Sequence, residues 1–289
     1  MSTLDQAIHL LEKDLNTPVF SIRPIEGEHD NDLFLANLGL VVRITKPNET
    51  DAEFIKKNNE FAFYKFLANK NIVVPIPAFI YYNSNNDKVD AYIDGQRPTM
   101  GAKATLEMCE DIINSIVALH AIEVPNITFD PFDRFWKYKK LAKNPLPKEF
   151  EAQIVAGFKQ IYDARPLVLS HNAIGQKTIL LTPEGVAFTD SSWIGRNAPI
   201  YDLACMVSGL DLESTLSRKC LSRFCSLSLE SPYSYEELET TVAFVDALSY
   251  YYSQARFHET KQKRFSAEAR RRKKRFLFRF EAHLMEGDE

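Results

Sequence analysis

The chemically capable side chains of this chain concentrate between residues 167 and 204. The stretches there are Leu167-Val168-Leu169-Ser170-His171-Asn172-Ala173, Phe188-Thr189-Asp190 and Tyr201-Asp202-Leu203-Ala204. An unperturbed imidazole titrates near neutrality, which makes His171 a candidate general base. Asn172 cannot take a proton. Asp190 could ligate a divalent cation, or could simply end a strand. Upstream, Arg43 in Val41-Val42-Arg43-Ile44 offers a permanently charged, planar group that contacts phosphate in a bidentate way. Glu60 carries the opposite charge, and a surface ion pair between the two would be worth little. Arg270–Arg275 is six consecutive cations, either a solvated helix face or a docking patch for an acidic partner.

Elements that could position these groups are legible in the hydrophobic pattern. Leu4–Leu15 has helical spacing. Strand-like runs follow at 19–25, 33–37 and 40–45, with Gly39 at the break between the last two, then a helix over 52–67 and strands at 78–82 and 89–93. Beyond Gly95–Pro98 the pattern turns helical: Leu106, Cys109, Ile113, Ile116 and His120 share a face, and further helices are expected over 149–162, 212–224 and 235–257. The exception is 167–170, 179–181 and 186–189. The last two flank Thr182-Pro183-Glu184-Gly185, which suits a type I turn. The expected division is 1–97, rich in strands, and 98–289, mainly helical and containing the hairpin.

The 289 residues carry 35 cations and 39 anions, net −4, so the molecule as a whole is no polyanion binder. Hydrophobic residues at 45% and charged residues at 26% are ordinary for a globular protein. No apolar run reaches the length of a membrane span, so no integral membrane segment is expected. Met1–Leu15 has no basic n-region of a signal peptide, and Cys109, Cys205, Cys220 and Cys225 show no C-x-x-C spacing. Reduced thiols and a cytoplasmic location are expected.

Taken in order, these motifs resemble the catalytic core of the choline/ethanolamine kinases and, more broadly, the aminoglycoside phosphotransferase superfamily. The resemblance extends from about Ile25 to about Arg272. It includes Glu28-His29-Asp30-Asn31-Asp32-Leu33-Phe34 as a nucleotide loop and Leu119-His120 in the middle helix. It implies an α+β, bilobal protein-kinase-like fold, with a β-rich N-terminal lobe and a mainly helical C-terminal lobe. Carried over by position, Asn31, Arg43, Glu60 and Thr178 fall on nucleotide-binding positions and Asp190 on the metal-binding carboxylate. Asp202 falls on the structural Asp that supports the His171 loop. ATP and Mg²⁺ are the implied cofactors. A choline site needs aromatic faces and negative charge. Trp193, Tyr250 and Tyr252 are the candidates, although neighbours on a helix point in different directions and core packing competes.

The departures are as informative as the matches. The family's catalytic base falls on Ala173, its second metal ligand on Thr178, and a carboxylate that helps hold choline on Ser192. Phosphoryl transfer needs a base to orient the acceptor hydroxyl and metal to hold the phosphates. A methyl group does neither. Glu28, Asp30 and Asp32 put negative charge beside the place for a polyphosphate, so nucleotide binding is expected to be weakened. Three readings follow: a catalytically impaired pseudokinase that binds or regulates; an active ATP-dependent kinase of choline or a related alcohol or amine; and an interaction protein using the basic C-terminal helix.

Overall fold

The structure is a computed structural model of the chain. It describes residues 2–25, 32–45, 51–68, 74–123, 127–228 and 232–286, with side chains of the second helix from Asn59 and of the last helix to Arg279. The chain divides into two compact units, residues 1–97 with 179–193, and residues 98–178 with 194–289.

In the first unit, α1 (Thr3–His9) begins at a reciprocal cap. The Ser2 hydroxyl accepts from the Asp5 N–H, and the Asp5 carboxylate accepts from the Ser2 N–H. A π-helical turn, Leu10–Asp14, continues it. Strands β1 (Ile22–Pro24), β2 (Asp32–Ala36), β3 (Leu40–Ile44), β4 (Phe79–Tyr82) and β5 (Lys88–Ala91) form an antiparallel sheet ordered β1-β2-β3-β5-β4. Alternation along the strands gives the sheet two unlike faces. Phe34, Ala36, Val42, Ile44 and Val89 pack under Ala7, Leu10 and Leu11. The opposite face carries Leu33, Leu35, Val41, Arg43, Lys88 and Asp90, and α2 (Asp51–Ala68) lends Glu60 and Tyr64 to it.

The hairpin β7 (Ile179–Thr182) and β8 (Gly185–Phe188) belongs to this unit, whereas the sequence pattern assigned it to 98–289. The reason is backbone pairing: Gln96 and Leu181 exchange both N–H···O bonds, at 2.9 and 2.8 Å, and the Phe188 N–H donates to Pro75 O. Sequence distance conceals that bridge.

In the second unit, α3 (Leu106–His120), α4 (Pro131–Leu141), α5 (Lys148–Asp163), α6 (Ile200–Gly209), α7 (Ser214–Leu227), α8 (Tyr235–Thr260) and α9 (Lys263–Glu286) surround a short ladder of β6 (Val168–Ser170) and β9 (Gly195–Asn197). Residues 200–208 of α6 are all buried, as befits a helix apolar around its circumference. Helix α8 packs against α4, α5, α6 and α9. The pattern reading did not anticipate α4. Its Asp130 cap and Pro131 are starting signals that went unused, and its mixed Phe132–Tyr138 stretch hides the period. Gly209 lies against Gly175, where an added Cβ would stand 2.6 Å from the Gly175 Cα. Glycine there lets the end of α6 sit directly under the loop that follows β6.

The β2–β3 turn is Ala36-Asn37-Leu38-Gly39, with φ of 51° at Asn37 and 58° at Leu38 and Gly39 N–H donating to Ala36 O. Two left-handed central residues make a type I′ turn, in which Asn-Gly is the favoured pair. Leu38 therefore carries backbone strain while 77% exposed. Leu38→Gly is expected to stabilise the protein by about 0.5–1 kcal/mol, since little packing is lost and the strain is relieved. Urea denaturation checks this, and an unchanged or lowered midpoint contradicts it.

Candidate functional site

In the helical unit the site is a loop delivered by β6. The His171 N–H donates to Asp202 Oδ2 at 2.9 Å and the Asn172 N–H to Asp202 Oδ1 at 2.8 Å. His120 Nε2, from the end of α3, lies 3.1 Å from the same Oδ2. Asp202 is fully buried in the first turn of α6, where the helix dipole favours its charge. Asn172 adopts φ of 65°, a conformation Asn tolerates. Its side chain ties the loop further, with Nδ2 donating to Ser170 O and Gly195 O and Oδ1 accepting from Asn197 Nδ2. Asp202 thus sits where a brace for the His171 loop must be, and His171 itself is fully buried.

Ala173 and Thr178 bound the turn that follows. Thr178 Oγ1 donates to Ala173 O at 2.8 Å and accepts from the Gly175 N–H at 3.0 Å. Its hydroxyl therefore closes the 173–178 turn. Nothing at Ala173 can accept a proton.

In the strand-rich unit, Arg43 and Glu60 are buried, not a surface pair, and Arg43 Nη1 stands 2.8 Å from Glu60 Oε2. Two further charges, which the sequence reading missed, complete the cluster. Lys88 Nζ reaches Glu60 Oε1 at 2.8 Å, Asp90 Oδ2 at 2.6 Å and Tyr64 OH at 3.4 Å. The available signal was the alternation Lys88-Val89-Asp90, a buried Val between two charges on the other face. Burial pushes the Glu60 carboxyl up, but Arg43 and Lys88 outweigh it and hold it down to about 2. Burial likewise opposes the charge of Arg43, and Glu60, then Tyr82, with a smaller contribution from Asp190, keep that guanidinium above its ordinary value. Burial, against the pull of Lys88, pushes Asp90 up.

Asp190 is exposed, with φ of 61°, and accepts from the Ser192 hydroxyl at 2.8 Å. Ser191 is buried against Tyr64, the two hydroxyls 3.1 Å apart. Trp193 ends the same 3₁₀ turn. Asn31 and most of the acidic loop before it lie outside the described residues. Among the described residues, no group of three or more His, Cys, Asp or Glu is arranged to hold a metal ion.

Tyr250 lies on α8. It is buried, and its hydroxyl donates to Asn144 O at 2.7 Å, tying α8 to the chain after α4. Tyr252 packs edge-on to Tyr138 and Phe265. The basic run is also largely engaged within the chain. Arg272 pairs with Asp246 and Glu268, Arg271 with Glu268, and Arg275 with Asp211, Asp246 and Ser208 O. Arg270 and Lys274 face solvent. All four cysteines are free thiols, and no helix among the described residues is long and apolar enough to cross a membrane.

The antiparallel sheet with its charged face, the helical unit and the braced loop define the protein-kinase-like fold. Solved structures similar to this chain are choline/ethanolamine kinases and aminoglycoside phosphotransferases. The choline kinase LicA from Streptococcus pneumoniae matches with a TM-score of 0.76 and 17% identity, covering 97% of this chain and 100% of that one. A choline/ethanolamine kinase family protein from Mesorhizobium loti gives 0.74 and 18%, covering 97% and 95%. The ADP-bound aminoglycoside phosphotransferase APH(2'')-Ib gives 0.59 and 19%, covering 93% and 96%. No protein-family model matches the chain, and no curated protein matches it by sequence.

The depressed Glu60 carboxyl has a pH consequence. Its folded value lies below its ordinary one, so its contribution to stability is complete above about pH 4.5 and is lost as pH falls toward about 2. The shift corresponds to something on the order of 3 kcal/mol. Glu60→Gln is expected to lower stability at pH 7 by about 3–5 kcal/mol, because it leaves two buried cations short of charge. It should also flatten the stability curve between pH 4.5 and 3, read by urea denaturation at each pH. A variant as acid-sensitive as the wild type contradicts the assignment.

Proposed function

We propose that this protein is a choline/ethanolamine kinase-like pseudokinase, which keeps a nucleotide site of reduced affinity and lacks competent phosphoryl transfer. The observation that carries this reading is the state of the loop after β6. Its brace through Asp202, His120 and Asn197 is complete, while the position the brace would present to an acceptor hydroxyl holds the methyl group of Ala173. Loss of a general base commonly costs about 10²–10⁴ in rate. Thr178, aligned with the second metal ligand, has its hydroxyl engaged within its own turn.

The nucleotide half has better support. Arg43 Nε and Nη2 are buried and find no hydrogen-bond partner among the described residues, so the guanidinium retains donors for phosphate oxygens. Asp190 would hold Mg²⁺, whose shell here would depend on nucleotide phosphates and water for most of its oxygens. The bound ion would neutralise phosphate charge. The ligand beside the nucleotide is a small alcohol or amine, by analogy with the choline and ethanolamine kinases of the same fold. Free thiols fit a reducing, cytoplasmic compartment. The competing reading, a working small-molecule kinase, draws on the retained Arg43–Glu60 pair and Asp190.

ATP consumption with choline, ethanolamine and related alcohols separates the two. Turnover well below about 1 s⁻¹ is expected, and turnover at or above that figure overturns the pseudokinase reading. Ala173→Asp with Thr178→Asn is not expected to restore full activity, since Ser192 and the acidic loop also depart. In a thermal-shift titration, ATP with Mg²⁺ should stabilise the protein, by roughly 2.7 kcal/mol at a hundredfold excess over Kd. Asp190→Asn should remove the Mg²⁺-dependent part.

A further inference from the structure

The charged face of the sheet is laid out in two cross-strand rungs. Leu33, Arg43, Lys88 and Tyr82 stand opposite one another across β2, β3, β5 and β4, and Leu35, Val41, Asp90 and Phe79 form the adjacent rung. Residues paired in this way share a face, so each rung is a row of neighbouring side chains. On the other face Phe34, Ala36, Val42, Ile44 and Val89 of the same strands pack under α1. The polar rungs therefore have a reason other than core formation.

The hydrogen-bonding capacity of the cluster is unevenly used. Lys88 has three donors and three acceptors around it, Glu60, Asp90 and Tyr64, and is complete. Two groups are not. Arg43 keeps Nε and Nη2 without a partner among the described residues, and Asp90, only 8% exposed, keeps Oδ1 without one. A buried donor and a buried acceptor left open in native structure need an explanation. Here the open donors are on one rung and the open acceptor is on the next. Between them and the sheet edge lie Leu33 and Val41, apolar and only partly covered. A molecule that satisfies this pattern is anionic where it meets Arg43, apolar over Leu33 and Val41, and bears an N–H toward Asp90.

Resting on the nucleotide-binding reading above, we propose that Asp90 selects the nucleobase. Its Oδ1 accepts from an exocyclic amine on a purine lying against Val41, while Arg43 meets the phosphates. A carboxylate oxygen attracts an amine and repels a carbonyl, so adenine is favoured over bases with oxygen at the corresponding edge. Lys88 is a positioning residue that holds the other Asp90 oxygen and so aims Oδ1.

The test compares ATP, ITP, GTP and tripolyphosphate by calorimetric titration of the full chain. ITP differs from ATP in carrying a carbonyl in place of the amine. ATP is expected to bind at least about 10-fold more tightly than ITP or GTP, the scale of one hydrogen bond to a charged group. Asp90→Asn, whose amide can turn either an oxygen or an N–H toward the base and can still accept from Lys88, should bring ATP and ITP within about threefold. Equal binding of ATP and ITP by the wild type, or a preference for ITP or GTP, overturns the inference while leaving nucleotide binding intact. An unchanged ATP-to-ITP ratio in a folded Asp90→Asn overturns the assignment to Asp90. Should neither the nucleotides nor tripolyphosphate bind, the nucleotide reading fails, and this inference with it. The wild-type comparison needs no variant, so a misfolded Asp90→Asn does not remove the test.

Discussion

One buried carboxylate organises the candidate site of the helical unit. Asp202 gathers two consecutive backbone N–H groups and an imidazole, which come from the loop after β6 and from the end of α3. Two adjacent N–H groups pointing at one acceptor force the chain into a tight bend, and Asn172 supplies the left-handed residue that the bend requires. Asn197 and the Gly175–Gly209 approach then leave the bend little freedom. Such an arrangement holds the next residue at a defined place whatever that residue is. It explains how the loop geometry persists around Ala173: the brace acts through backbone and neighbours, none of which depends on a carboxylate at position 173.

The strand-rich unit is organised by charge. Arg43, Lys88, Glu60 and Asp90 are two cations and two anions in a buried setting, balanced among themselves. Burial of ions is costly unless they are paired and hydrogen-bonded, and a cluster of this kind adds little net stability over an apolar replacement. Its value lies in orientation. Glu60 is shared by Arg43 and Lys88, so its charge is compensated from two sides.

Charge also explains the C-terminal helix. A run of six cations reads in isolation as a surface for something acidic, yet three of them meet acids of the same unit. Arg272 and Arg275 converge on the buried Asp246 of α8, and Arg271 and Arg272 on Glu268. Helical geometry splits a contiguous run between faces, so a stretch uniform in sequence is divided between inside and outside in space.

The local signals were strong where one period or one motif decided the outcome. Strands at 33–37 and 40–45, the helix ending at His120 and the hairpin turn at 182–185 were all legible in the residues, because alternation, helical spacing and turn chemistry are properties of the chain alone. Lys88 and Asp90 were not legible as members of the buried charge cluster, nor was the attachment of the 179–188 hairpin to the first unit, nor the hydroxyl partner of Tyr250. Each depends on what lies across from the residue: a partner strand 45 positions earlier, a backbone bridge at Gln96, the carbonyl of Asn144. Sequence alone determined which groups exist and where along the chain they fall. Only the tertiary structure decided which groups are neutralised, which are left open and which are core, because burial and pairing arise from residues far apart in the chain.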